Sequence, residues 1–250
     1  MRPEAFLHAD WPAPAGVHAL QTTRHGGVSE AAYASLNLGS NTDDDPARVI
    51  ANRARLRTAL ALPREPAWLK QVHGTTVVDA AAVGAEPPLA DASQTTAAGV
   101  VCAVLTADCL PVLLCADDGR WIGAAHAGWR GLCAGVLEAV VARAGVPPQR
   151  LLAWLGAAIG PAHFEVGPEV RDAFVRAQPQ AEAAFRAGRD DRWYADLYAL
   201  ARLRLQRIGV QRIHGGGLCT YADAGRFYSY RRAPASGRMA TLIWRDALPG

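Results

Sequence analysis

The sequence predicts a domain of the α/β (α+β) class with mixed β-sheets. Half of the 250 residues are hydrophobic, which is enough for a sizeable core in one large domain. Several apolar runs have the length and composition of strands that are buried on both faces. Strand-like and helical segments follow each other without the regular alternation of a doubly wound sheet. No repeat or low-complexity linker divides residues 1–250, so we expect a single domain.

The first part of the chain is predicted to contain three strands and one long helix. Asp45 followed by Pro46 is typical of a helix start, and side chains at helical spacing extend this helix over residues 45–62. Gly74 separates two short strand-like runs, and the adjacent prolines further on predict a loop over residues 85–94. The predicted strands of this part are residues 17–23, 67–72 and 75–80.

The least polar stretch, residues 97–116, is about as long as a membrane-spanning helix. Asp108 lies inside it, Pro111 follows soon after, and no basic residues flank it, so we interpret it as buried strands of a folded core and expect no membrane association. From this stretch onward the predicted strands are residues 99–106, 111–115, 121–126, 151–159 and 240–244, and the predicted helices are residues 129–144, 168–178 and 193–208.

The charge distribution argues against a nucleic-acid partner. The net charge is only +3, and the basic side chains, with Lys70 the only lysine, are spread along the chain. The first eleven residues do not show the basic and then apolar order of a signal peptide. The five cysteines form no C-x-x-C pair, and their odd number disfavours a disulfide framework. We therefore expect reduced thiols and a cytoplasmic protein.

Three predicted strands each end in a turn that carries one imidazole or thiol. These residues are His73, Cys109 and His126, and loops on a rigid scaffold commonly carry function. One cysteine and two histidines form a ligand set that holds zinc and leaves a fourth position for water. The spacing alone leaves a second interpretation open, in which the thiol is a small buried hydrophobe and the imidazoles are only hydrogen bonded. The three segments are Gln-Val-His-Gly at 71–74, Thr-Ala-Asp-Cys-Leu-Pro at 106–111 and Ala-His-Ala-Gly-Trp-Arg-Gly at 125–131.

Asp108 is a further candidate because it lies within an apolar run. A carboxylate in such surroundings requires either a hydrogen-bonded partner or a chemical role. A hydrogen bond to a metal ligand and general acid–base catalysis both meet this requirement, and the sequence does not choose between them.

Nine short segments, in this order along the chain, resemble one bacterial family. Besides the three segments above, they are Thr-Arg-His-Gly-Gly-Val-Ser at 23–29, Ser-Leu-Asn-Leu-Gly at 35–39, Ile-Gly-Pro at 159–161, Phe-Glu-Val-Gly at 164–167, Cys-Thr at 219–220 and Phe-Tyr-Ser-Tyr-Arg-Arg at 227–232. The family was once called multicopper polyphenol oxidases, or the laccase-domain family, and is now known as purine nucleoside phosphorylases and also as peptidoglycan editing factors. The resemblance spans residues 17–244.

The resemblance implies a single domain with layered mixed β-sheets flanked by helices. It also implies a zinc site formed by His73, Cys109 and His126, the residues at the three strand ends. The implied partners are small molecules, a purine nucleoside and phosphate. The implied reactions are phosphorolysis of adenosine, inosine and methylthioadenosine, and hydrolytic deamination of adenosine. One departure is the pair Ala162 and His163, in a loop where many relatives carry cysteine. The loop can still shape the pocket, but we assign His163 no role.

Further side chains suit that chemistry. For deamination, a zinc-bound hydroxide beside Asp108 can attack the purine carbon that bears the amino group. Phosphorolysis requires phosphate held against the anomeric carbon, for which Arg24 is the first candidate and Arg231 the second, because arginine binds phosphate bidentately. Asn37 either binds the ligand or fixes a turn. We thus expect Asp108 and Cys109 in catalysis, and Arg24, Asn37 and Arg231 in substrate binding.

Three other functions stay open. A copper polyphenol oxidase needs His-x-His pairs for a trinuclear cluster, and no such pair occurs among the seven histidines, so we expect copper oxidation to be incidental. An amidase that removes L-Ser from misassembled UDP-MurNAc peptidoglycan precursors is also supported by the resemblance, and it would use either zinc or Cys109 as nucleophile with His126 as base. The last is a purine-binding scaffold without activity. We expect a monomer or a small homo-oligomer.

Overall fold

Two large β-sheets form the centre of the computed structural model, which describes residues 3–246. The strands, including those of a small third sheet, are β1 Phe6–His8, β2 Val17–Thr22, β3 Val77–Asp79, β4 Ala92–Thr95, β5 Cys102–Thr106, β6 Leu110–Ala116, β7 Ile122–Ala127, β8 Leu151–Leu155, β9 Glu165–Val166, β10 Phe185–Ala187, β11 Trp193–Ala195, β12 Arg212–Gly215 and β13 Met239–Arg245. The largest sheet has the order β12-β8-β6-β7-β4-β3, the second β1-β2-β13-β5 and the third β10-β11-β9. The largest sheet is mixed, because β12–β8 and β3–β4 are parallel and its other pairs are antiparallel.

Five α-helices within the described residues cover the outer faces of the two large sheets. They are α1 Pro46–Ala59, α2 Trp129–Ala134, α3 Val136–Val141, α4 Pro168–Ala177 and α5 Leu197–Arg207. Helix α1, capped by Asp45 as predicted, packs on the four-stranded sheet through Leu56. Helices α2 to α5 pack on the six-stranded sheet, where Leu132, Val136 and Leu200 join the core. The layered architecture and the predicted fold class are therefore confirmed.

Strand β6 explains why the central apolar stretch consists of strands. All seven of its residues are buried, because both faces of the sheet are covered. Val112 and Leu114 belong to the core under the helices, whereas Leu113 and Cys115 belong to the core between the two sheets. A strand covered on both faces needs a continuous apolar run instead of an alternating one. Among the described residues, no helix is long and apolar enough to cross a membrane.

Two predicted helices differ from the structure. The helix predicted over residues 129–144 is divided into α2 and α3, because Gly135 adopts the left-handed conformation, with φ of 103°, between them. The segment predicted as a helix over residues 193–208 begins as strand β11. Asp196 then starts α5, since its side chain accepts hydrogen bonds from two backbone amides of the first turn.

The region around residues 67–94 holds two further corrections. The predicted loop over residues 85–94 is wrong at its end, where Ala92 begins β4 between β7 and β3. The predicted strand over residues 67–72 is wrong as well, because this segment makes only isolated bridges, at Ala67 and Lys70. The sequence does not predict β1, β9, β10 and β12, which have two to four residues each and carry too little periodicity.

Candidate metal centre and active-site cavity

A cavity of about 770 Å³ lies beside the ends of β5, β6 and β7. Its volume is within the range of small-molecule sites. Three aromatic side chains, Trp68, Phe164 and Tyr230, form part of its wall. The ionisable side chains of the wall are Arg53, Lys70, His73, Glu86, Asp108, Cys109, His126, Arg130, Arg231 and Arg238. The cavity thus combines flat apolar surfaces with an excess of basic groups.

The three predicted metal ligands lie together in the wall of this cavity. The ligand atoms of His73, Cys109 and His126 all lie within 4.8 Å of one another. Cys109 Sγ is 3.8 Å from His73 Nε2. Tetrahedral zinc, with bonds of about 2.3 Å to sulfur and about 2.1 Å to nitrogen, needs a sulfur–nitrogen separation of about 3.6 Å. The donor set therefore fits this ion after small side-chain movements.

Close backbone packing brings these ligands together. Strands β6 and β7 pair with Pro111 opposite His126, which places the turn of Cys109 next to the end of β7. Gly128 lies at this contact, and a Cβ atom there would be 3.0 Å from Cys109 Sγ and 2.8 Å from the His73 ring. Because glycine has no Cβ atom, the side chains of Cys109 and His73 can occupy these positions without a steric clash.

Asp91 is a site residue that the sequence analysis misses. Its fully buried carboxylate accepts a hydrogen bond of 2.8 Å from Nδ1 of His126, which leaves Nε2 of that ring for the cluster. The backbone N–H groups of residues 72, 73 and 74 donate to the same carboxylate at 3.1, 2.9 and 2.7 Å. These bonds hold His73 in the left-handed region, with φ of 60°. Burial acts to raise the pKa of Asp91, but the bonds from His126 and the backbone amides outweigh it and lower this pKa.

Cys109 differs electrostatically from Cys102, Cys115 and Cys133, because burial raises the pKa of those three thiols. All five cysteines are free thiols. Burial acts to raise the pKa of Cys109, but His126 and His73 outweigh this effect and lower it to about 6. Burial likewise acts to lower the pKa of His126, whereas Cys109 and Asp91 raise it to about 9. At neutral pH these shifts favour a thiolate beside an imidazolium. The thiolate is the form that binds metals and acts as a nucleophile.

Asp108 lies in the cavity wall with its carboxylate tied to the protein. Thr220 Oγ1 donates to one oxygen at 2.6 Å, and Ser229 Oγ donates to the other at 2.9 Å. The backbone N–H of Arg231 also donates, at 2.7 Å. The residue has a left-handed backbone, with φ of 90°. These bonds fix the segment of Ser229 and Arg231 against the turn that carries Cys109.

Arg24, the first phosphate candidate, is not part of the cavity wall that the structure describes. Its Nε donates to Ala34 O at 2.9 Å, and its NH1 donates to Ala224 O at 3.1 Å. The guanidinium also lies over the Tyr228 ring, 4.8 Å from its centre. These contacts connect two distant segments of the chain.

The other two predicted substrate-binding residues lie in different positions. Arg231 lines the cavity, and its NH1 donates to Glu165 O at 2.8 Å. Asn37 is fully buried behind the wall, where Oδ1 accepts hydrogen bonds from the backbone N–H groups of Gly39 and Arg238. The structure therefore brings one of the three, Arg231, to the cavity.

Four basic side chains of the cavity are absent from the predicted set, namely Arg53, Lys70, Arg130 and Arg238. Local signals exist for two of them, since Arg130 lies four residues after His126 and Lys70 directly precedes the segment of His73. The other two come from α1 and from the segment before β13, where no local pattern marks them. With Arg231, five basic side chains face two carboxylates in this wall.

His163, in the loop that departs from the family pattern, contacts a second cysteine. Its Nδ1 lies 3.4 Å from Cys219 Sγ, and its ring stacks on Tyr221. None of these three residues belongs to the described wall of the cavity. The contact is therefore separate from the group formed by His73, Cys109 and His126.

Comparison with known proteins identifies the family. Residues 18–246 match the family model described as multi-copper polyphenol oxidoreductase laccase. The chain belongs to this family. The resemblance that the short segments indicate is therefore confirmed.

Members of the family and related structures match this chain over almost its whole length. A Pseudomonas aeruginosa protein named purine nucleoside phosphorylase is 55% identical over 96% of this chain and 98% of its own. Purine nucleoside phosphorylase YfiH of Escherichia coli is 52% identical over 94% of this chain and 96% of its own. The crystal structure of Neisseria meningitidis protein NMB0706 has a TM-score of 0.95 and 51% identity, covering 97% of this chain and 100% of that one. YlmD from Geobacillus stearothermophilus has a TM-score of 0.93 and 32% identity, covering 99% and 98%.

We expect Asp91→Asn to weaken zinc binding by about 10–100-fold, because the His126 ring loses the carboxylate that orients it. The variant should also lose about 1–3 kcal/mol of unfolding free energy, since an amide cannot accept all four hydrogen bonds. Competition with a chromogenic chelator measures the first effect, and denaturant unfolding measures the second. Exposed Asp10→Asn is the matched control. Unchanged zinc affinity would limit Asp91 to a role in folding.

The same variant has a predicted pH dependence. The lowered pKa of Asp91 means that its stabilisation is present above the ordinary carboxyl value of about 3.9 and is lost as the pH falls through the lowered pKa. The difference in unfolding free energy between the wild type and Asp91→Asn should therefore be largest at neutral pH and shrink below about pH 4. A constant difference across this range contradicts the assignment.

We expect Gly128→Ala to weaken zinc binding, because the added methyl group would displace the Cys109 thiol and the His73 ring. Gly84→Ala is the control, since a Cβ at Gly84 meets no atom within 4 Å. Zinc affinity of both variants is measured by the chelator competition. Equal affinities would show that the cluster tolerates the displacement.

Proposed function

We propose that this protein is a zinc-dependent purine nucleoside enzyme, which carries out phosphorolysis of adenosine, inosine and methylthioadenosine and hydrolytic deamination of adenosine. The observation that carries the proposal is the cluster of His73, Cys109 and His126 in the wall of a cavity rich in basic side chains. The names of its relatives, purine nucleoside phosphorylases that are 55% and 52% identical, support the same reaction class.

Zinc suits this donor set. One thiolate and two imidazoles would fill three positions of a tetrahedral zinc ion and leave the fourth for water. Zinc held in this way would act as a Lewis acid and lower the pKa of the bound water to about 7. Copper electron-transfer sites use similar donors, but a multicopper oxidase needs further copper sites. Within residues 3–246, no second group of three such ligands is found. We therefore regard copper binding as incidental to the function.

Phosphorolysis requires that the cavity hold phosphate against the sugar. An oxygen of hydrogen phosphate bonds to C1′ of the ribose while the bond from C1′ to N9 breaks. The electron pair of that bond goes to the purine, which takes up the proton that phosphate gives up, so the products are the free purine and ribose 1-phosphate. The five basic side chains of the wall offset the charge of phosphate. The three aromatic rings offer flat surfaces for the purine.

Deamination requires a water molecule at C6 of adenosine. Water adds to this carbon and ammonia leaves, which gives inosine. Asp108 lies in the cavity wall beside Cys109, and its carboxylate is the proposed acceptor of the proton from the attacking water. Wild-type deamination by an Asp108→Asn variant would exclude this role.

Substitution of the ligands tests the proposal. We expect His73→Ala, Cys109→Ala and His126→Ala each to abolish stoichiometric zinc binding and nucleoside turnover in protein that stays folded. His8→Ala, at an exposed histidine in β1, is the matched control. Adenosine is incubated with metal-quantified protein, with and without phosphate, and the products are identified by mass spectrometry.

The products distinguish phosphorolysis from deamination. Adenine and ribose 1-phosphate that form only with phosphate demonstrate phosphorolysis, and inosine under either condition demonstrates deamination. Full activity in all three ligand variants would refute the site assignment. No turnover by folded, zinc-loaded wild type would refute the nucleoside function.

A second candidate function is favoured by one observation, the position of Cys109 Sγ within 4.8 Å of a ring nitrogen of His126. The two histidines of the group lower the pKa of this thiol to about 6. A thiolate next to an imidazolium is also the arrangement of a cysteine hydrolase. In that case the metal-free protein is an amidase, and the substrate is the amide bond to L-Ser in a misassembled UDP-MurNAc precursor. Zinc bound to the thiolate excludes Cys109 as a nucleophile, so metal content separates the zinc-dependent nucleoside enzyme from this cysteine-dependent amidase.

Alkylation with iodoacetamide distinguishes the two states of Cys109. We expect metal-free protein to react at Cys109 at neutral pH, with a rate that rises through about pH 6 and then levels off, because the thiolate is the reactive form. Cys102 and Cys115 are internal controls, since burial raises the pKa of each to about 12. Zinc should protect Cys109, as peptide mass mapping would show. Metal-free protein that cleaves the serine amide and is inactivated by alkylation would favour the amidase.

A further inference from the structure

Five basic side chains line the cavity, and Arg238 differs from the other four. Lys70, Arg130 and Arg231 are exposed to solvent. Arg53 is half-buried, but its Nε and NH2 both donate to a backbone carbonyl, and its guanidinium lies over an indole ring. Arg238 is also half-buried, and its guanidinium lies over the Tyr230 ring, 5.8 Å from its centre, but its Nε and NH2 make no hydrogen bond to the described residues.

The hydrogen bonds of Arg238 use one end of its guanidinium. NH1 donates to Ser236 O at 2.6 Å and to Gly237 O at 3.1 Å. Among residues 3–246, Nε and NH2 have no hydrogen-bond partner, and the group forms no ion pair. Burial lowers the pKa of Arg238. The guanidinium group of arginine stays charged in proteins at neutral pH. Two free N–H groups on one edge of a charged plane match two oxygens of a phosphate.

Asn37 fixes the backbone at Arg238. Its Oδ1 accepts hydrogen bonds from Arg238 N–H at 2.9 Å and from Gly39 N–H at 3.0 Å. Its Nδ2 donates to Asp44 and Thr42, each at 3.0 Å. Gly39 provides the space for the side chain, since a Cβ there would lie 2.6 Å from Arg238 Cγ. Asn37 is therefore a positioning residue for Arg238. Of the two roles that the sequence left open, binding the ligand and fixing a turn, this position matches the second.

We propose that the edge of Arg238 formed by Nε and NH2 binds the phosphate that attacks the nucleoside, through two parallel hydrogen bonds. This inference rests on the proposed function and names the residue that binds its second substrate. Arg238 lines the same cavity as Cys109 and Asp108, so an oxyanion bound at this edge shares the cavity with the candidate metal ligands. A 5′-phosphate of a nucleotide shares this chemistry, and the experiment separates the two sources.

The experiment compares the wild type with Arg238→Met and Arg238→Lys. Arg143→Met is the matched control, because Arg143 is exposed and outside the described cavity wall. Inorganic phosphate is titrated into zinc-loaded protein by calorimetry, and KM is measured for phosphate and for adenosine. We expect Arg238→Met to raise the Kd and the KM for phosphate by about 10–100-fold, because charge-assisted hydrogen bonds are lost. The fold-increase in the KM for adenosine should be at least ten times smaller than the fold-increase in the KM for phosphate.

Arg238→Lys separates loss of charge from loss of geometry. It keeps the charge but not the planar pair of donors, so we expect it to recover only part of the phosphate affinity. It also keeps the test valid if the Met variant does not fold. Full wild-type affinity for phosphate in either folded variant overturns the proposal.

Two further outcomes separate this proposal from its premises. The titration is repeated with AMP in place of phosphate. If Arg238→Met loses affinity for AMP but keeps the wild-type affinity for inorganic phosphate, the proposal is overturned, and Arg238 binds the 5′-phosphate of a nucleotide instead. The wild type can also bind phosphate and lose this binding on substitution of Arg238, yet fail to cleave nucleosides. That result supports the phosphate site and refutes the proposed function.

Discussion

The carboxylate of Asp91 accepts hydrogen bonds from three backbone amides in the loop of His73 and from the ring of His126. Because this carboxylate is fully buried, each bond also offsets part of the cost of removing its charge from water. The loop and the ring cannot separate without leaving a buried charge unpaired. Two of the three candidate ligands therefore depend on one acidic side chain that is not itself a candidate ligand.

The third ligand depends on the way the two sheets are joined. Cys109 lies in the turn between β5, in the four-stranded sheet, and β6, in the six-stranded sheet. Asp108 takes a left-handed conformation in this turn, and its carboxylate holds the distant residues Thr220 and Ser229. The strands on either side are almost entirely buried. The thiol thus stands on rigid elements at the point where the sheets meet, which favours a fixed ligand geometry.

Local sequence patterns identify the ligands but not the residues that hold them. His73, Cys109 and His126 each end an apolar run, so residue type and position together mark them. Asp91 lies beside prolines that indicate a loop, and its role arises only when β4 pairs with β7. Arg24 lies in a glycine-rich segment typical of ligand binding, yet the carbonyls that hold it belong to distant parts of the chain. The fold class follows from the apolar runs, whereas breaks such as that between α2 and α3 depend on one backbone conformation.

The three candidate ligands are not equally accessible, since His126 is buried, Cys109 is intermediate and His73 is exposed. His73 and Cys109 are also 36 residues apart, so an ion bound between them is a cross-link that restricts the unfolded chain. A chelator or a water molecule would therefore reach the imidazole of His73 first, whereas Cys109, in the turn between β5 and β6, and the buried His126 are more shielded. Any ion held by the three residues would be open to exchange on the side of the loop at residues 71–74.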